Sequence, residues 1–378
     1  MIGWGNRMEK IYAVIDDLKM NNKNILGCFP LYPPLELFHS MGFTPIVLWG
    51  LKNVLHKTHE SDKHVQNYAC SVARYLTEIV LSEDIISFDG IFSYNACDTI
   101  RNMPEILQSG LADQGRELPF LKMHIPMVLQ QREYIYTYLQ NEISNLIAEV
   151  ERTFHVCFSL ESFTKSVNLY REMRKLSTEL DLLLSRGNIT FSDFSTIMQN
   201  KCFLPVEEQI RVLKSIIAKC KPPDSNSPSK NSKRVILSGI LPPPPKIAKI
   251  IDEAGFTVVG NDIASFTRSH AYTPDSFEGP TDYYSKFYKN HYPCTTLLYS
   301  ADSRIDTLLN LVEERNARGF IFLGEKFCEY EYFEYPYMEK CLKERGINLL
   351  SLEFTVNDDE NIGSFKTRIE AFGEMMMN

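Results

Sequence analysis

The sequence has no basic excess: 40 Lys and Arg stand against 48 Asp and Glu, a formal net charge of −8. Binding a phosphate backbone needs clustered cations that displace counterions, so nucleic acid is not an expected partner. No apolar run approaches the roughly 18–20 residues that span a bilayer. The opening Met1 to Lys10 has no basic start followed by an apolar core, so no secretory leader is expected. A cytoplasmic chain that does not engage the membrane is the expectation. At 378 residues it has material for two or three domains.

The familiar nucleotide cradles are missing too. There is no G-x-x-x-x-G-K-S/T loop and no G-x-G-x-x-G turn after a strand, so neither a triphosphate nor a dinucleotide has a seat. No C-x-x-C pair occurs, which removes zinc ribbons, thioredoxin-like centres and the compact ferredoxin run. His59-Glu60-Ser61-Asp62-Lys63-His64 is one residue too long for H-E-x-x-H, so on a helix its imidazoles turn apart. A solvated loop is the better reading there.

What is present is a pattern that occurs twice. Helical spacing over residues 8–20 predicts a leading amphipathic helix that stops in the Asn-rich turn 21–24. A β-α-β unit follows: strand Ile25 to Phe29, the proline-rich segment Pro30 to Pro34, helix Leu35 to Met41, Gly42 as stop, and strand Pro45 to Trp49. The same syntax returns as strand Val235 to Gly239, Pro242 to Pro245, helix Lys246 to Glu253, Gly255, and strand Phe256 to Val259. Phe88 to Phe92 leads to Cys97-Asp98, just as Arg318 to Phe322 leads to Cys328-Glu329. The expected fold class is therefore α/β: two Rossmann-like, doubly wound parallel lobes related by duplication, with a helical insert and an N-terminal helix. The expected divisions are 1–24 for that helix, 25–130 for the first lobe, 131–232 for insert and linker, and 233–378 for the second lobe. The linker signal is Lys221 to Ser229, rich in Pro, Ser and Asn with no apolar residue.

Nine scattered cysteines in such a chain read as thiols or metal ligands rather than disulfides. Loops at the carboxyl ends of doubly wound strands converge on one crevice, so Cys97 and Cys328 are expected to face it. Cys70 precedes a helix running through Val80, and a helix N-terminus favours the thiolate that ligates metal. For any single cysteine a buried core role is the commoner outcome. Cys157, Cys202, Cys220, Cys294 and Cys341 are assigned to it, with Cys28 intermediate.

In order along the chain, Pro33 to His39 with Gly42 to Pro45, Tyr68 to Cys70, Asn95 to Arg101, Lys326 to Glu329 and Thr367 to Phe372 form a set of motifs. The chain thereby resembles, over nearly its full length, the catalytic subunits of the (R)-2-hydroxyacyl-CoA dehydratase and benzoyl-CoA reductase family. That resemblance implies a 4Fe–4S cluster held by Cys70, Cys97 and Cys328. It further implies an acyl-CoA substrate, one-electron activation to a ketyl radical, and elimination of water. Its implied partners are a homologous second subunit and an ATP-hydrolysing activator protein that supplies the electron. Glu36, matching the acid of the opening motif, is implied as proton carrier or hydrogen-bond partner, the alternative being an exposed first-turn carboxylate. Arg268 and Arg368 read as anion-pairing residues or structural salt bridges.

The implied reaction has alternatives in a benzoyl-CoA reductase-type or linked-double-cluster reductase subunit, and in a non-redox ligand-binding module of two hinged lobes. Completion of the crevice by a homologous chain predicts an apolar patch near the Cys97 and Cys328 loops. The Tyr-rich segments 283–288 and 330–335 are its expected sources, unless each Tyr packs under its own loop.

Overall fold

The computed structural model describes residues 7–21, 23–54, 58–82, 86–129, 132–220, 233–298, 302–355, 358 and 361–377. The expected linker 221–229 lies outside these residues. Among the described residues eight strands form two four-stranded parallel sheets. The first contains β1 (Asn24–Cys28), β2 (Phe43–Val47), β3 (Gly90–Tyr94) and β4 (Phe120–Met123), in the order β2-β1-β3-β4. The second contains β5 (Lys233–Gly239), β6 (Phe256–Ile263), β7 (Gly319–Glu325) and β8 (Asn348–Phe354), in the order β6-β5-β7-β8. The α/β class is as expected, and the repeated order is consistent with a duplicated architecture.

The central strands read as continuous apolar runs because a parallel sheet is covered on both faces. Ile25, Leu26 and Cys28 in β1, and Val235, Ile236 and Leu237 in β5, are all buried. After β1 the helix Leu35–Ser40 starts behind Pro34, and after β5 the helix Pro245–Glu253 has proline in its first turn, where no N–H is needed. Each helix is followed by a glycine with left-handed backbone, Gly42 at φ +93° and Gly255 at φ +77°. A side chain is strained there, so Gly-Phe-Thr is the turn that feeds both second strands.

Several boundaries differ from the sequence reading, β6 for example running on to Ile263, and two of them have a visible cause. The apolar run Pro45 to Trp49 leaves the sheet after Val47, because its partner β1 ends at Cys28, opposite Val47. Residues from Leu48 continue as a 3-10 turn instead. β3 starts at Gly90 rather than Phe88, since Asp89 accepts a hydrogen bond from Ile25 N at 2.6 Å before strand pairing begins.

Packing divides the chain into two units. Unit 1 comprises Met1–Arg171, Asn200–Gln209 and Pro274–Asn290; unit 2 comprises Glu172–Gln199, Ile210–Thr273 and His291–Asn378. Unit 1 holds the first sheet together with the helices Tyr134–Phe154 and Pro280–Lys289. Unit 2 holds the second sheet, one face of which packs on the helices Ser303–Glu314 and Glu329–Glu344 through Ile236, Phe320, Phe322, Leu308, Val312, Met338 and Leu342. Each such side chain, fully buried, contributes about 1.5–3 kcal/mol. No helix among the described residues is long and apolar enough to cross a membrane.

Candidate functional site

Each of the three cysteines singled out by sequence caps a helix. Cys70 precedes Ser71–Leu81, Cys97 precedes Asp98–Asp113, and Cys328 precedes Glu329–Glu344. All three are partly exposed, and all nine cysteines are outside disulfides. The Cys97 sulfur accepts a hydrogen bond from Ile100 N at 3.4 Å, taking the place an Asp or Ser oxygen usually fills at a helix start. The positive end of a helix is the environment that favours anionic sulfur.

Cys97 and Cys328 occupy matching positions. β3 and β7 hold the same place in their sheets; β3 ends at Tyr94 and β7 at Glu325, so each cysteine lies three residues beyond its strand. Cys70 and Cys97 belong to unit 1 and Cys328 to unit 2. Among the described residues no three His, Cys, Asp or Glu side chains are gathered as a metal site. Taken one by one, a partly exposed thiol at a helix N-terminus has the chemistry of an iron–sulfur ligand, whose usual form is the thiolate.

The other cysteines separate by burial. Cys28 is fully buried in β1 and burial pushes its thiol well above the ordinary range. Cys202, Cys294 and Cys341 are buried and Cys220 is partly so. Cys157 is exposed rather than core, because it falls in the connection between the helices Tyr134–Phe154 and Leu160–Ser185.

Glu36 is not an exposed first-turn carboxylate: it is 1% exposed. Tyr283 donates to Oε1 at 2.9 Å and Tyr284 to Oε2 at 2.8 Å, while Leu37 N donates to the Tyr284 oxygen at 3.0 Å. Burial, then the nearby Glu36 charge, hold the Tyr284 phenol well above its ordinary range. These tyrosines lie in an aromatic cluster of unit 1, with Phe163 and Phe277 ring centroids 5.6 and 5.3 Å from Tyr283. The expectation of an exposed Tyr283–Tyr288 patch is therefore corrected, since Tyr283, Tyr284, Phe287 and Tyr288 are all buried. Their spacing of i, i+1, i+4, i+5 is one face of a helix, the signal that would have foretold burial. The second segment is different: Phe333 is 75% exposed.

At the carboxyl end of the second sheet lies a buried ionic network. Asp262 accepts two parallel bonds from Arg268, both at 2.9 Å, and further bonds from Ser238 at 2.8 Å and Arg304 at 3.1 Å. Burial alone would raise the Asp262 carboxyl, but Arg268 and then Arg304 outweigh it and hold it below its ordinary range. Arg304 also donates to Glu334 at 2.6 Å. Ile240 N, just past β5, donates to Glu331 Oε2 at 3.1 Å. Burial pushes Glu331 up to about 7. Arg268 is thus a structural salt-bridge residue, whereas the exposed Arg368 donates to Ser351 O. His59 is exposed and pairs with Glu60, but Ser61–His64 form a short helix with Ser61 buried, so the expected solvated loop holds only at its start.

The family profile described as "2-hydroxyglutaryl-CoA dehydratase, D-component" matches residues 30–376. The (R)-phenyllactyl-CoA dehydratase beta subunit of Clostridium sporogenes is 25% identical over 365 residues, 96% of this chain and 94% of the relative. Lactoyl-CoA dehydratase subunit beta of Anaerotignum propionicum is 24% identical over 374 residues, 96% and 94%. One of the subunits of benzoyl-CoA reductase from Thauera aromatica is 24% identical over 348 residues, 90% and 87%.

Proposed function

The chain belongs to the 2-hydroxyglutaryl-CoA dehydratase D-component family, and on that premise we propose that it is the iron–sulfur subunit of a 2-hydroxyacyl-CoA dehydratase. The family acts on acyl-CoA thioesters by water elimination or reduction. The observation that carries the finer reading is the matched pair Cys97 and Cys328, each a helix cap three residues past the equivalent strand of its sheet. Duplication of one ancestral lobe accounts for the match. Two relatives named as beta subunits of dehydratases support this over a lone enzyme.

In this reading Cys70, Cys97 and Cys328 would hold a 4Fe–4S cluster. Such a cluster would supply single electrons and a Lewis-acidic iron for a thioester carbonyl. The protein's own residues do the rest. Glu36 carries a proton to or from the substrate, with Tyr283 and Tyr284 fixing its two oxygens. The partners we assign are a homologous second subunit and a separate ATP-hydrolysing activator as electron donor.

A second reading, a reductase subunit, draws on the likeness to the benzoyl-CoA reductase of Thauera aromatica. Anaerobic purification with co-purifying chains, followed by incubation with a 2-hydroxyacyl-CoA and an activator, tests the proposal. Formation of the 2-enoyl-CoA supports it; reduction of an aromatic or enoyl thioester without loss of water favours the second reading.

A further inference from the structure

The loop before Cys328 is held in a costly shape from outside itself. Phe327 has φ +65°, the left-handed region in which a bulky residue costs about 1–2 kcal/mol. Its ring is 47% exposed, so burial of that side chain does not hold the turn. Backbone bonds do part of it: Lys326 N donates to Phe354 O at 2.8 Å and Cys328 N to Glu325 O at 3.0 Å.

The helix that Cys328 caps is anchored as well. Glu331, in its first turn, is completely buried, and its Oε2 accepts a hydrogen bond from Ile240 N at the carboxyl end of β5. Its other oxygen makes no hydrogen bond among the described residues. One turn on, Glu334 is held by Arg304, which Asp262 holds in turn. Two anchors three residues apart on one helix fix both its rotation and its height above the sheet. A helix that only needed to pack would bury an apolar side chain at this position, because a carboxylate with an idle oxygen costs desolvation free energy.

We propose that Glu331 is a positioning residue: by anchoring the first helical turn to Ile240 N, it presets the Cys328 loop in its ligating shape before any cluster is bound. The inference rests on the reading of Cys328 as a cluster ligand. The carboxylate acts here as an acceptor, so an amide oxygen can replace it.

The test uses the full chain and three variants, E331A, E331Q and E331D. The first readout, in cluster-free protein, is amide hydrogen exchange over 325–332 and at Ile240. E331A and E331D, which remove or withdraw the acceptor, are expected to speed exchange there tenfold or more. E331Q is expected to match the parent. The second readout, after anaerobic reconstitution, is iron per chain and the electron paramagnetic resonance line shape. E331A is expected to hold less than half the parent's iron, and E331Q to restore it. Unchanged exchange and iron in folded E331A, or iron loss in E331Q equal to that in E331A, overturns the proposal. If E331A does not fold, E331D decides by the same criteria. A parent chain that takes up no iron overturns the cluster reading instead, and the exchange arm alone then decides whether Glu331 anchors the loop.

Discussion

Glu36 and Tyr284, 248 residues apart in sequence, meet at 2.8 Å inside unit 1. The bond ties the helix that follows the first strand to a helix far along the chain, and Tyr283 doubles it from the same turn. Removing the carboxylate strands two buried phenol donors, each costing about 1–3 kcal/mol when unsatisfied. E36A is therefore expected to lose stability by about 2–5 kcal/mol in urea unfolding, and E36Q distinctly less, since one acceptor oxygen remains. Both are expected to lose turnover in the assembled enzyme. E36Q active at the parent rate would remove Glu36 as proton carrier while leaving its structural bond intact.

A second prediction concerns pH. Burial, with Arg174 and then Arg268 nearby, brings the His291 imidazole down to about 4, so the fold binds its neutral form. Between the ordinary histidine value near 6.5 and about 4, the unfolded chain takes up a proton that the folded chain refuses. That group's contribution, about 3 kcal/mol, is lost as pH falls through this window. Glu331 works in the opposite sense. Its folded pKa is raised to about 7, so its contribution falls as pH rises from about 4.5 to about 7. The two offset each other between pH 4.5 and 6.5. E331Q should uncover a steep acid loss of about 1.4 kcal/mol per pH unit, and H291Q the reverse slope, read from urea midpoints at pH 4.5, 5.5 and 6.5. Parallel pH profiles for both variants would contradict the assignment.

Asp262 is the hub of the unit 2 network, and its loss leaves Arg268 and Arg304 buried without their shared counter-charge. D262A is expected to cost about 3–5 kcal/mol in denaturant unfolding. The double variant D262A/R268M should recover part of this, since Arg304 retains Glu334. A loss below about 1 kcal/mol in D262A would show that solvent reaches the pair.

Much of the scaffold was legible because its signals are local. Two runs of strand, prolines, helix, Gly-Phe-Thr and strand needed only a window of about 25 residues to be seen as one motif repeated. The Cys97 and Cys328 loops were legible for the same reason, each being an apolar strand that ends in Cys followed by an acid. What escaped was long-range. Nothing near Glu36 announces Tyr283, and nothing near Asp262 announces Arg304, because those bonds are chosen by packing. For the Tyr283–Tyr288 run composition left both a surface patch and a packed cluster open, although its helical spacing pointed to the burial that is found. Strand ends also moved, as at Val47, because a strand stops where its neighbour does.

The ligand assignment is tested most directly by the iron and sulfide content of the anaerobically purified full chain beside five single variants. C70A, C97A and C328A are expected to lose or degrade the cluster, with bleaching of the brown colour and of the paramagnetic signal of the reduced form. C220A and C341A, in residues that cap no site, are expected to retain the parent's iron. A parent containing no iron, or equal iron loss in all five variants, would contradict the account.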